Sequence, residues 1–220
     1  MTRVVRLDAG TAAFLPPELV RSLRSGGMAV YPTDTLYGLG VDPRSPAALA
    51  RLAAAKGRNG GKAIPLLLDE PARAAEFAAF LPPDAQRLIA RFWPGALTIV
   101  VPAAPDVLPP VTGGTGTVGL RVPGHPVPRE LARRLGGAIT GTSANRSGNP
   151  GIWRSAEEIV AEFSGEVDWI LWDGPPPAAN APPGGPPPAS TVVRAGDGGV
   201  VLLREGAVPF REIETFRRGG

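Results

Sequence analysis

Short apolar runs alternate with helices that open on proline, and this alternation constrains the fold more than any other feature of the sequence. Pro16-Pro17-Glu18, Ser45-Pro46, Pro71, Pro82 and Pro126 each stand where a helical pattern begins. Proline fits a helix's first turn because the N–H it lacks has no intrahelical partner there. Between these helices lie runs too short to be helices, at 3–7, 28–31, 63–68, 96–101, 117–122, 138–140, 168–172, 190–194 and 200–204. Each is a predicted strand. Alternating short strands and helices predict an α/β fold, and the short connections predict a mixed sheet.

Composition narrows the function. The chain has 220 residues, enough for one α/β domain or two small ones. It has no cysteine, so disulfides, thiolate metal sites and thiol nucleophiles are excluded. His125 is the lone histidine and cannot belong to a histidine cluster. No apolar run approaches the ~20 residues of a membrane span, and the first ten residues lack a signal-peptide core. A soluble cytoplasmic protein is expected. Gly174 to Ala189 is a Pro/Gly-rich stretch, expected to be a surface loop within a single domain spanning 1–220, because too little chain follows it for a second core.

Four segments could carry chemistry. In the first, the strand ending at Tyr31 stops at Pro32 and is followed by Thr33, Asp34 and Thr35, then Gly38 and Gly40. Small polar groups at a strand end, followed by glycines, suit a ligand-binding turn, and equally a capped strand-to-helix turn. In the second, Lys56 to Lys62 reads K-G-R-N-G-G-K and holds the only two lysines among 23 basic residues. Compact ammonium groups on a glycine-rich loop suit phosphate oxygens, although the Walker spacing is absent. In the third, Gly141 to Gly148 reads G-T-S-A-N-R-S-G and packs hydroxyls, an amide and glycines behind a strand. A turn stitched by side-chain-to-backbone bonds would look the same. In the fourth, Arg121 interrupts an apolar strand, so it must be paired internally or meet a ligand carboxylate. Ser190-Thr191 and Arg204 lie near the end of the chain, and His125 reads as a local turn contact. With no thiol and no Ser-His-Asp set, such groups act by positioning and neutralising anions. Phosphoryl chemistry suits that means of catalysis.

These segments, taken in order, resemble the YrdC-like family of threonylcarbamoyl-AMP synthases. The matching motifs are Y-P-T-D-T-L-Y-G-L-G from Tyr31, K-G-R from Lys56, P-L-L-L from Pro65, W-P-G-A-L-T-I from Trp93, L-R-V-P-G-H-P from Leu120, T-S-A-N-R-S-G from Thr142, S-T-V-V from Ser190 and L-R-E-G-A from Leu203. The resemblance implies a single-domain α/β fold with a twisted mixed β-sheet flanked by helices around a basic concave cleft. It implies an ATP-dependent nucleotidyltransferase that forms L-threonylcarbamoyladenylate and pyrophosphate from L-threonine, bicarbonate or CO2, and ATP, with Mg²⁺ accompanying the nucleotide. Partner proteins would then carry the group to tRNA, and direct tRNA or double-stranded RNA contact is a further expectation.

By position, the resemblance assigns Thr35, Arg121, Gly141 and Ser190 to L-threonine. Arg58, Lys62, Thr117, Ser143, Asn145, Gly151 and Arg204 are assigned to ATP. Lys56, Arg58 and Ser143 are expected to be catalytic, and no residue is assigned to a metal. Two substitutions depart from the family pattern: Asn59 follows K-G-R where proline is usual, and Asp69 stands where many members carry a histidine near the threonine pocket. The proline-rich run is also longer than the pattern, and a lid over the adenylate is its expected role. A related carbamoyl-adenylate enzyme and a non-enzymatic double-stranded RNA- or ribosome-binding protein are the alternative readings.

Overall fold

The computed structural model describes residues 1–8, 15–57, 61–146, 153–163, 165–176, 188–196 and 198–218. Arg58, Asn59, Gly151 and most of the proline-rich run, with the lid expected there, lie outside these residues. In chain order the elements are β1 (Arg3–Arg6), α1 (Pro17–Arg24), β2 (Ala29–Tyr31), β3 (Gly38–Gly40), α2 (Pro46–Ala55) and β4 (Leu66–Leu68). A 3-10 turn at Pro71–Arg73 runs into α3 (Ala74–Phe77), followed by α4 (Pro83–Phe92), β5 (Leu97–Pro102), α5 (Pro109–Thr112) and β6 (Thr117–Arg121). Then come α6 (Pro126–Leu135), β7 (Ala138–Thr140), β8 (Thr142–Ser143), α7 (Ala156–Phe163), β9 (Trp169–Trp172), β10 (Thr191–Gly196), β11 (Gly199–Arg204) and α8 (Phe210–Arg218).

The strands form two mixed sheets where one was expected. The first runs β1-β9-β2-β3-β8 and the second β11-β10-β5-β6-β4-β7. Two elements of the first sheet are hidden in the sequence. Gly38-Leu39-Gly40 is a strand that pairs antiparallel with β2, so the expected ligand turn is the loop of a hairpin. Its glycines do not serve a positive φ. The Tyr31 ring lies across β3, and a Cβ would stand 2.4 Å from it at Gly38 and 2.7 Å from it at Gly40. The other hidden element, β8, is two residues long and pairs with β3.

The two sheets meet at Gly141. Strand β7 pairs with β4 in the second sheet, whereas β8 pairs with β3 in the first, and Gly141 alone separates them. Its N–H donates to Pro65 O at 2.7 Å. A Cβ there would stand 2.5 Å from Leu67 Cγ, so only glycine lets the chain cross at this depth. Neighbouring bonds reinforce the seam: Thr140 N–H donates to Val41 O, Val41 N–H to Thr140 Oγ1, and the Tyr31 hydroxyl to Thr140 O.

Helices cover the outer faces. The apolar stripe of α6, including Val127, Leu131 and Leu135, packs with Leu19 and Leu23 of α1 and with Tyr31, Ile139 and Leu171. A larger core joins Leu49 and Leu52 of α2, Leu88 of α4 and Ile159 of α7 to the strands of both sheets. The Ser45 hydroxyl caps α2 by accepting from Ala48 N–H, as its sequence position predicts. The helical pattern that opens at Pro71 stops at Phe77 because Ala78 bridges to Ala103 and Ala79 N–H donates to Pro102 O at the end of β5. No described helix is long and apolar enough to cross a membrane.

Candidate active site

A cavity of about 210 Å³ opens between the sheets, close to the Gly141 seam. The first sheet contributes Thr33, Thr35 and Tyr37 from the β2–β3 hairpin and Thr142 and Ser143 from β8. The second contributes Leu67, Thr98, Arg121, Val192 and Arg204, with Ser190 just ahead of β10. Strand pairing sets this convergence. Thr98 pairs with Val192, and Ile99 with Leu120, which brings Thr98 beside Arg121 on one face of the sheet. Among the described residues two guanidinium groups and seven hydroxyls line the cavity, and no carboxylate does. Such a lining favours an anionic, hydrogen-bonding ligand.

Arg121 is 5 % exposed, and three groups hold its fork. Its Nε donates to Gly95 O at 2.8 Å, Nη1 to Thr35 Oγ1 at 3.1 Å and Nη2 to Asp34 Oδ1 at 2.5 Å. The ion pair with Asp34 means that the internal pairing weighed in the sequence reading is present. Three of its five donors are thus spent, and two can still reach a carboxylate. Gly124 makes room for Asp34, because a Cβ there would stand 3.2 Å from Asp34 Oδ2.

Arg204 is held differently. Its Nη2 donates to Ser190 O at 2.8 Å and approaches Ser190 Oγ at 3.3 Å. Ser190 Oγ in turn lies 3.0 Å from Thr98 Oγ1. Among the described residues Arg204 has no carboxylate partner. Its side chain keeps solvent contact, yet partial burial of the guanidinium, and then repulsion from Arg121, lower its pKa below the ordinary arginine value. Arginine stays charged regardless, so this wall carries an uncompensated positive charge.

Around these cations the hydroxyls are pre-set. Thr33 Oγ1 donates to Leu36 O at 2.6 Å, lies 3.0 Å from Thr35 Oγ1 and accepts from Thr35 N–H. The Tyr37 ring stacks on Trp172 at 5.3 Å, and its hydroxyl lies 2.9 Å from Asp173 Oδ1 and 2.7 Å from Gly174 O. Burial raises the Tyr37 pKa, so this hydroxyl stays protonated. Asp173 also meets His125 Nε2 at 2.8 Å. Burial pushes the Asp173 pKa up, but hydrogen bonds from His125 and Tyr37 outweigh it and leave the group below its usual value. His125 Nδ1 accepts from Val127 N–H, so the ring caps α6, in line with a local turn contact.

Thr35, Arg121, Gly141, Ser143, Ser190 and Arg204 therefore share one cavity. Thr117 lies on the face of β6 that bears Arg121, roughly 13 Å away along the strand, with its hydroxyl 2.8 Å from that of Thr115. Lys62 is exposed and borders a second, more apolar hollow beside Leu49, Leu52 and Ile64. Asn145 stands behind Ser143 and accepts from its hydroxyl at 2.6 Å. Lys56 was expected at phosphate, but its ammonium faces inward to Ser143 O at 2.7 Å and Asn145 Oδ1 at 2.9 Å. Asp69 is also absent from the cavity wall: its Oδ1 accepts from Glu70 N–H, and Arg73 lies 3.5 Å away. Arg58 and Gly151 lie outside the described residues. The sequence reading missed Thr98 and Tyr37, although a threonine inside the apolar run A-L-T-I-V-V was a signal.

Comparison with known proteins adds an independent line. A family model for Sua5, YciO and YrdC, described as telomere recombination, matches residues 21–206. A threonylcarbamoyl-AMP synthase of Thiobacillus denitrificans is 46% identical over 133 residues, which cover 60% of this chain and 71% of that protein. The Bacillus subtilis threonylcarbamoyl-AMP synthase is 35% identical over 194 residues, covering 88% of this chain and 54% of its own length. Among solved structures, Pyrococcus abyssi Sua5 complexed with L-threonine superposes with a TM-score of 0.85 at 30% identity, covering 98% of this chain and 61% of that one. The chain thus spans little more than half the length of these two longer relatives. Escherichia coli YciO shares the fold, with a TM-score of 0.79 at 24% identity over 94% of this chain and 96% of that one.

Proposed function

The chain belongs to the Sua5–YciO–YrdC family, and we propose that it is an L-threonylcarbamoyladenylate synthase working in the tRNA threonylcarbamoyladenosine pathway. The observation that carries this reading is the cavity itself: among the described residues, two arginines and seven hydroxyls, with no lining carboxylate, between two sheets. Relatives bearing the name threonylcarbamoyl-AMP synthase support it, as does the threonine-bound state of the Pyrococcus structure.

In this reading the threonine carboxylate docks on the two remaining donors of Arg121, while Thr35 and Ser190 flank it. Threonine's amine adds to CO2, losing a proton to form the carbamate. A carbamate oxygen then attacks the α-phosphorus of ATP, the bond to the bridging oxygen breaks, and pyrophosphate leaves. Both reactants are anionic, so their approach needs neutralising charge. Arg204 supplies it on the cavity wall, and Lys62 and Arg58 supply it on the glycine-rich loop. This reading assigns Thr117, Asn145 and Gly151 to the nucleotide.

Mg²⁺ fits this scheme as part of the substrate. Among the described residues no group of three metal-ligating side chains occurs and no carboxylate lines the cavity. Phosphate oxygens would therefore hold the ion. Cytoplasmic location, partner proteins that take the product, and contact with tRNA belong to the same reading.

The test is pyrophosphate release from ATP and bicarbonate, with and without L-threonine, together with the mass of the product. Threonine-dependent release with a threonylcarbamoyl-AMP mass supports the assignment. ATP turnover without threonine dependence would favour another acceptor amine, and no turnover would favour RNA binding.

A further inference from the structure

Lys56 sits at the C-terminal end of α2, only 4 % exposed, and does not line the central cavity. Its ammonium has three donors and no acceptor. Three oxygens of one turn converge on it: Ser143 O at 2.7 Å, Asn145 O at 2.5 Å and Asn145 Oδ1 at 2.9 Å. We propose that Lys56 is a positioning residue, which acts on the nucleotide through Asn145 and Ser143 rather than by touching phosphate. The inference rests on the nucleotide reading given above.

Two consequences follow from donor chemistry. A group that can only donate fixes which end of the Asn145 amide faces it, so Oδ1 points to Lys56 and Nδ2 points away. Ser143 Oγ then gives its proton to that same Oδ1 at 2.6 Å. What Ser143 offers the cavity is lone pairs. It is set to receive a ligand hydroxyl or amine, such as a ribose hydroxyl, and is poorly suited to a phosphate oxygen. Other bonds secure the turn, since Ala144 N–H donates to Tyr37 O and Trp153 Nε1 to Ala144 O. Lys56 adds a tie that runs from the end of α2 to two backbone carbonyls and the Asn145 side chain.

The experiment compares binding of AMP, ADP, ATP and inorganic pyrophosphate to wild-type protein, Lys56→Met, Asn145→Ala and the double variant. Lys56→Met is expected to weaken AMP, ADP and ATP by the same factor, about tenfold or more, and to leave pyrophosphate unchanged. The double variant is expected to lose no more than the worse single one. A loss that grows with the number of phosphates, or losses that multiply in the double variant, would overturn the proposal. Hydrogen exchange of the ligand-free protein gives a second readout. The amides of 144–146 should exchange about ten times faster in Lys56→Met, and unchanged exchange would equally overturn it. Asn145→Ala keeps the nucleotide series decisive if Lys56→Met fails to fold. Wild-type protein that binds none of the nucleotides would overturn the nucleotide reading, and this role for Lys56 with it. That failure is distinct from one in which nucleotides bind but Lys56→Met shows phosphate-dependent losses.

Discussion

Arg121 and Arg204 stand on the same cavity wall and face opposite electrostatic situations. Arg121 is buried, held at three points and neutralised by Asp34. Arg204 keeps solvent contact, leans on the Ser190 carbonyl and has no carboxylate partner among the described residues. One charge is committed to the fold and offers only what its remaining donors can reach. The other is uncompensated and repelled by its neighbour, which makes it the stronger attractor of a polyanion. The lesson is that two identical residue types in one pocket can differ in what they do for stability and for binding.

Mutation should separate the two. Arg121→Ala leaves the Asp34 carboxylate without its partner, and we expect a loss of about 3–5 kcal/mol of stability, read by urea unfolding. In whatever protein stays folded, the threonine requirement should rise far more than the ATP requirement. Equal rises would mean that Arg121 serves only the fold. Arg204→Ala is expected to leave stability within about 0.5 kcal/mol. It should weaken ATP binding by roughly 1.5–3 kcal/mol, measured by titration calorimetry. A large stability loss at Arg204 would break the contrast.

Asp34→Asn offers a finer test. The neutral amide still accepts from Arg121, so we expect about 1–2 kcal/mol of destabilisation and a threonine affinity lowered less than by Arg121→Ala. Unchanged threonine binding would show that the fork needs no carboxylate to hold it.

The smallest expected effect comes from a carboxylate–arginine cluster remote from the cavity. Glu130 bonds to both Arg133 and Arg134. Hydrogen bonding from Arg133 is the largest cause of its pKa falling from 4.5 to about 2. A carboxylate depressed in the folded state contributes its stability above the unfolded pKa and loses it as pH falls toward the folded value. Wild-type stability should therefore drop more between pH 4.5 and 2 than that of Glu130→Gln, followed by thermal melts across that range. Solvent screening keeps the difference small, and parallel curves would show that the cluster contributes nothing.

Much of this architecture could be read from the residues, and the gaps have physical causes. Helices α1, α2, α4 and α6 announced themselves because proline marks their first turns, and β5 and β6 because their apolar runs are continuous. Strands β3 and β8 stayed hidden. Gly38-Leu39-Gly40 looks like a turn until the Tyr31 ring is laid across it, and two residues carry no periodicity. Both belong to the first sheet, so its edge at the Gly141 seam could not be foreseen. In the site, Arg121 was conspicuous because a charge in an apolar strand needs a reason, but its pairing with Asp34 depends on a loop returning across 87 positions. Lys56 was read as a phosphate ligand from its position in a glycine-rich loop. Only the three-dimensional placement of residues 143–145 turns its ammonium inward.

The crossing at Gly141 also constrains how such a pocket can change over evolutionary time. The two sheets share a spine one residue wide, and that spine admits no side chain. A lineage could not enlarge the cavity by inserting residues or bulk there without prising both sheets apart. New substrate preferences would have to be written at the strand ends and in the hairpin loop, where Thr33, Thr35, Thr98 and Ser190 can be exchanged one at a time while the binding of the book stays whole.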